Sequence, residues 1–191
     1  MKKSAFTLST VLAAALAFLW LGISVEASSE AGIEDLGLRV EGDQAKVTFR
    51  LTNAFDEDFE RRIQSGLPTE LTFRFVLERE RKTWFDKSVA RGSLQVIAMY
   101  NAVTSEYLVN FKQDGDLIES RVVREPADLR SAMTELEAFP IFSVAGRNPE
   151  ELLQLRVRAE LGTRMLLAFI PRTVATEWAH TDRFRLNDLP R

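Results

Sequence analysis

Ala45-Lys46-Val47-Thr48-Phe49-Arg50-Leu51 alternates apolar and polar residues without a break. A period of two puts Ala45, Val47, Phe49 and Leu51 on one face of an extended chain, and Lys46, Thr48 and Arg50 on the other. Such a strand rests one face on a core and leaves the other in water, as antiparallel sheets do. Upstream, Leu36, Leu38 and Val40 keep the same period, and Glu41-Gly42-Asp43 between the two runs is a turn signal. The two runs therefore make a hairpin with one buried face.

Downstream, Asn53 is the expected N-cap of a first helix, with Asp56, Glu57 and Asp58 in the turn where acids favour the helix dipole. Phe55, Phe59 and Ile63 form its apolar stripe, and Gly66 and Pro68 end it. Leu71, Phe73, Phe75 and Leu77 then alternate with Thr72, Arg74 and Glu78 as a strand. Further strands run through Leu94 to Tyr100 and through Tyr107, Val109 and Phe111; Asp114-Gly115 turns the chain into a return strand, Leu117 to Val123. A second helix is expected over 127–138, opened by Pro126 and striped by Leu129, Ala132, Met133 and Leu136. Asn148-Pro149-Glu150-Glu151 is a turn into another strand, in which Leu155, Val157, Ala159 and Leu161 alternate with Arg156, Arg158 and Glu160. Met165 to Ile170 and Trp178 to Leu186 complete the sheet. Eight to ten strands and two helices that do not alternate argue against a parallel βαβ sheet. The fold expected is mainly β (α+β): an antiparallel β-sandwich with two peripheral helices.

The chain opens as an export signal does. Lys2 and Lys3 precede the apolar run Val11–Ile23, and Val25-Glu26-Ala27 offers a cleavage site after Ala27. That run is shorter than the roughly 20 residues a stable membrane span needs. The expected organisation is a signal peptide over 1–27, a flexible leader over 28–34 and a single β-rich domain over 35–187, placed in the periplasm or otherwise outside the cytoplasm. Retention of the signal would tether the domain, and that is the one route to the membrane. The sequence has no cysteine. This excludes a lipid anchor on cysteine, disulfides, thiol nucleophiles and thiolate metal sites, so stability falls to the core.

The formal charge is −3; since the signal carries Lys2, Lys3 and Glu26, the remainder stands at −4. Nucleic acid is not an expected partner of such a chain. His180 is the only histidine, with Glu177 and Asp182 nearby. No G-x-S-x-G or S-x-x-K motif supplies a nucleophile, and there is no second histidine for a zinc site. Asp114-Gly115-Asp116 is a fragment of a calcium loop that a hairpin turn explains. No glycine-rich phosphate loop is present, and no cofactor or catalytic residue is expected. Tryptophan and arginine together mark binding hot spots. Trp84 and Phe85 lie close to Arg79 and Arg81, and Trp178 lies close to His180; these six are the candidate interaction surface.

Ser65-Gly66-Leu67-Pro68-Thr69 before an alternating strand, then an arginine-rich stretch to Trp84 and Asp86, resembles domain-of-unknown-function family 4390. So do Tyr100-Asn101-Ala102-Val103-Thr104 with Tyr107, the arginine-rich strand Leu155–Leu161, and Glu177-Trp178. The resemblance spans Ile33 to Leu186, with Phe184 standing where a tryptophan is expected. It implies a small exported protein of proteobacteria and carries no activity, cofactor or catalytic residue. Some members of that family are encoded near a membrane sensor kinase, which the resemblance offers as a partner. The leading expectation is a non-catalytic binding or accessory module for a protein or cell-envelope component. A carrier of an apolar ligand between the sheets, with Phe49, Phe73 and Phe75 inward, is the alternative; a hydrolase using acids or His180 comes third.

Overall fold

In the computed structural model, which describes residues 30–79, 87–166 and 170–190, the Ala45–Leu51 alternation is a strand with its apolar face buried. Strand β1 (Gly32–Glu41) pairs antiparallel with β2 (Gln44–Thr52). Ala45, Val47, Phe49 and Leu51 are buried. β1 begins inside the stretch expected to be a flexible leader. Ile33 stands opposite Leu51 and packs on the core, and Thr52 Oγ1 donates to Gly32 O at 3.2 Å.

The first helix, α1 (Glu57–Gln64), is capped by Asp56 and not by Asn53. The Asp56 carboxylate accepts from Phe59 N at 2.7 Å, while Asn53 takes a left-handed φ of 55°. Phe59 and Ile63 are buried; Phe55 lies just before the helix, its ring 4.8 Å from Phe59. Gly66, at φ 79°, closes the helix.

Strands β3 (Thr69–Arg79), β4 (Lys87–Asn101), β5 (Glu106–Gln113) and β6 (Asp116–Val123) form an antiparallel meander. Asp114 and Gly115, both at positive φ, make the β5–β6 turn. Helix α2 (Pro126–Thr134) stops four residues before its expected end, and Leu136, expected on its stripe, belongs to strand β7 (Glu135–Ser143). The reason is local and tertiary at once. Pro140 disfavours a helical Phe139, Ala138 sits at φ 49°, and the free edge of β2 takes up the segment, pairing Phe49 with Leu136 and Ala45 with Phe142.

After the Asn148 turn, where Asn148 Oδ1 accepts from Glu150 N at 3.0 Å, β8 (Leu153–Leu166) returns along β3. The outer edge of β8 is shared by β9 (Ile170–Ala175) and the short β10 (Ala179–His180). The result is a three-stranded sheet, β1-β2-β7, facing a seven-stranded one ordered β10-β8-β3-β4-β5-β6 with β9 also on β8. This is the expected mainly-β sandwich with two helices.

The core lies between the sheets. Phe49 of the small sheet meets Phe73 and Phe75 of the large one at 5.0 and 6.2 Å between ring centroids. Gly92 faces Phe75 across the β3–β4 ladder. A Cβ there would stand 3.2 Å from Phe142 Cε1, so the missing side chain lets the Phe142 ring of β7 close onto the large sheet. Phe184, where the family resemblance expects tryptophan, is buried and bridges to Leu153 at the end of the core.

Candidate functional site

The outer face of the large sheet carries the polar half of the alternation. Because opposed residues in an antiparallel ladder share a face, Arg74 of β3 stands directly across from Arg158 of β8, and Val76 from Arg156. Two guanidiniums opposite one another repel. Glu160 lies between them: its two oxygens take Arg74 Nε at 3.3 Å and Arg158 Nη2 at 3.1 Å. Glu78 similarly holds Arg156 Nη1 at 3.1 Å. Each arginine is thus fixed by a carboxylate on the same face.

Trp178 roofs this row. Its ring lies 4.7 Å from the Arg156 guanidinium carbon and 4.9 Å from that of Arg158, within cation–π range. Beneath it, Arg156 Nε and Arg158 Nε are buried without a hydrogen-bond partner among the described residues. Two threonines hold the tryptophan in place. Thr176 N donates to Ala159 O at 2.9 Å, and the Thr176 hydroxyl accepts from Ala159 N at 3.0 Å. Thr181 repeats the arrangement on Leu155, at 3.0 and 3.1 Å. Each hydroxyl stands in for a strand carbonyl, so residues 176–181 are pinned to β8 at both ends although β10 itself is two residues long. Trp178 stays half-buried and is the common wall of two grooves, of about 610 and 510 Å³. The first runs from Trp178 and Arg158 past Arg74 and Glu78 to Arg91 and Asp114.

The candidate residues divide accordingly. Trp178 and His180 come together on this face, His180 opposite Arg156 and exposed. Arg79 does not join them. It stands across from the buried Leu153 and binds Glu151 at 2.8 Å, on the other side of β3 from Glu78. Arg81, Trp84 and Phe85 lie outside the described residues. Glu177 and Asp182 are exposed, and among the described residues no group of three His, Asp or Glu side chains could hold a metal ion. Asp114 is used in the fold: its carboxylate accepts from Ser93 N at 2.7 Å. The phenylalanines expected to line an apolar cavity do face inward and pack against one another. Sequence reasoning placed Arg156, Arg158 and Glu160 on a polar face without seeing them as a site. Their one legible signal was the polar alternation Gln154, Arg156, Arg158 and Glu160 along β8; Trp178 reaches them only through tertiary pairing.

A family model described as a domain of unknown function (DUF4390) matches residues 28–179. The chain belongs to that family. No curated protein and no solved structure matches it. The DUF4390 match takes in Arg74, Glu78, Arg156, Arg158, Glu160 and Trp178, and it ends before His180 and Phe184. It stops short of the Leu186 to which the resemblance was expected to run. The arginine row and its tryptophan are therefore parts of the DUF4390 domain, while His180 stands beyond the matched segment.

Proposed function

We propose that this DUF4390 domain is an exported, non-catalytic binding module of the bacterial periplasm, and that a protein partner of the cell envelope docks on the Trp178 face. The observation that carries the reading is the arginine row under Trp178. Four arginines, Arg74, Arg91, Arg156 and Arg158, border one open face beside an aromatic ring held in place by two threonines. Three of them are oriented by carboxylates, so little side-chain entropy remains to be lost on docking. Rigid aromatic and arginine groups of this kind are what protein interfaces use as anchors. The apolar run Val11–Ile23 behind Lys2 and Lys3 supports export. A membrane sensor with a domain outside the cytoplasm is a partner of the right location.

Photo-crosslinking in living cells tests this reading. A photoreactive side chain at Arg91, on the Trp178 face, should capture one discrete protein, and one at Arg50, on the outer face of the small sheet, should not. Trp178→Ala should erase the Arg91 product. Equal capture at both positions, or an Arg91 product indifferent to Trp178→Ala, would remove the Trp178 face from consideration.

A further inference from the structure

The far edge of the large sheet, opposite β10, is β6. It pairs with β5 on one side, and among the described residues no strand lies on the other. Every residue from Asp116 to Val122 is exposed. Three of the five large apolar side chains exposed among the described residues are on this strand: Leu117, Ile118 and Val122. An uncovered edge with apolar side chains is a template for another strand, and the order of residues on β6 says which one.

Read outward from Ser120, the strand is complementary to itself. In an antiparallel pair of two copies centred on Ser120, Glu119 of each faces Arg121 of the other, and Ile118 of each faces Val122 of the other. Opposed residues in such a pair share a face, so the charges meet on one side and the apolar groups on the other. Other registers lose this. A shift of two residues sets Glu119 against Glu119 or Arg121 against Arg121, which is repulsive, and a shift of one sets charges against Ser120 or apolar residues. Glu119 and Arg121 already bind each other within the chain, at 2.5 Å, and Arg121 lies 4.6 Å over the Phe111 ring. The charges are therefore presented at the edge with their side chains held. The bulge falls on Ile118 itself, between Glu119, which faces Phe111, and Leu117, which faces Lys112, so the regular part of the match is centred on Glu119–Arg121 and Ile118 lies at its bent end. We propose that a second copy of this chain docks on β6, antiparallel about Ser120, joining two large sheets edge to edge. This edge is the one farthest from Trp178 in the sheet order, so the dimer leaves the Trp178 face open on both copies.

The absence of cysteine from the sequence makes the test clean. Ser120→Cys in the full chain should form a disulfide-linked dimer under mild oxidation, because opposed Cα atoms lie about 5 Å apart. Val122→Cys should not, because in this register the two copies of residue 122 are separated beyond the roughly 7 Å a disulfide spans. Adding Glu119→Arg to Ser120→Cys turns two attractive contacts into two repulsive ones and should lower the yield at least about fivefold. Adding Arg121→Glu to that variant restores opposite charges and should restore the yield. Equal crosslinking at 120 and 122, no homodimer at 120, capture of a different protein there instead, or a Glu119→Arg loss that Arg121→Glu fails to rescue would each overturn the proposal.

Discussion

Trp178→Ala separates a ring that belongs to the surface from one that belongs to the core. The ring is half-buried and two guanidiniums stack on it, at 4.7 and 4.9 Å. Contacts of this kind contribute ~0.5–1 kcal/mol each when exposed and ~2 when desolvated. Removing the ring also lets water reach Arg156 Nε and Arg158 Nε, which are buried without a hydrogen-bond partner among the described residues, and that offsets part of the loss. The expected destabilisation is about 1–2 kcal/mol, against the roughly 3–5 kcal/mol that truncating a fully buried aromatic such as Phe73 costs. For a domain of this size that is a fall of about 2–8 °C in Tm. Urea unfolding followed by circular dichroism measures it, and the dependence on urea should keep its slope. A loss near that of Phe73→Ala would mean the ring is a core element. The Trp178 face would then be a by-product of packing, with no claim to be a binding surface.

Asp56→Ala should destabilise the domain by about 0.5–2 kcal/mol, the range for losing an N-cap, because Asp56 accepts from Phe59 N; Asn53→Gly, which keeps the left-handed backbone at that position, should not match it, and urea midpoints compare the two. Tyr107 gives a pH signature. Burial, helped by Tyr100 and Glu60, raises its hydroxyl above the ordinary value of 10.0, so the folded chain keeps a proton that the unfolded chain loses. Stability is then whole below about pH 10 and falls as pH climbs from the unfolded toward the folded value; Tyr107→Phe should flatten that fall in unfolding midpoints taken from pH 8 to 11.

The sandwich was legible because its strands alternate cleanly. Val47, Phe49, Phe73, Phe75, Val96, Val109 and Val157 all point inward as their period requires. β7 was not legible. Leu129, Met133 and Leu136 continue a helical spacing, and the open edge of β2, together with Ala138 and Pro140, takes the chain out of the helix at Thr134. Pro140 was the signal in the sequence that argued for it. The site divides along the same line. Arg156, Arg158 and Glu160 could be placed on one face from their period, but their partners Arg74, Glu78 and Trp178 reach them by register across β3 and β10, which local pattern does not encode. Arg79 was grouped with its neighbours in sequence, yet one residue along a strand is the opposite side of a sheet.

The order of strands has a consequence for how the chain reaches this structure. β3, β4, β5 and β6 join neighbours in sequence and can zip up locally, whereas β7 closes on β2 and β8 on β3 only after long stretches of chain are in place. Thr48 and Ala138, linked across β2 and β7, are 90 residues apart, and Arg74 and Glu160 are separated by 86. Closing such distant pairs is slow. Until β8 arrives, β3 in the middle of the large sheet has a bare flank, and no disulfide can trap a partly closed form. A chain arriving N-terminus first would thus hold β3, with Phe73 and Phe75, incompletely covered until β8 has emerged. Refolding from urea should show this interval as a phase whose rate follows the β3–β8 closure.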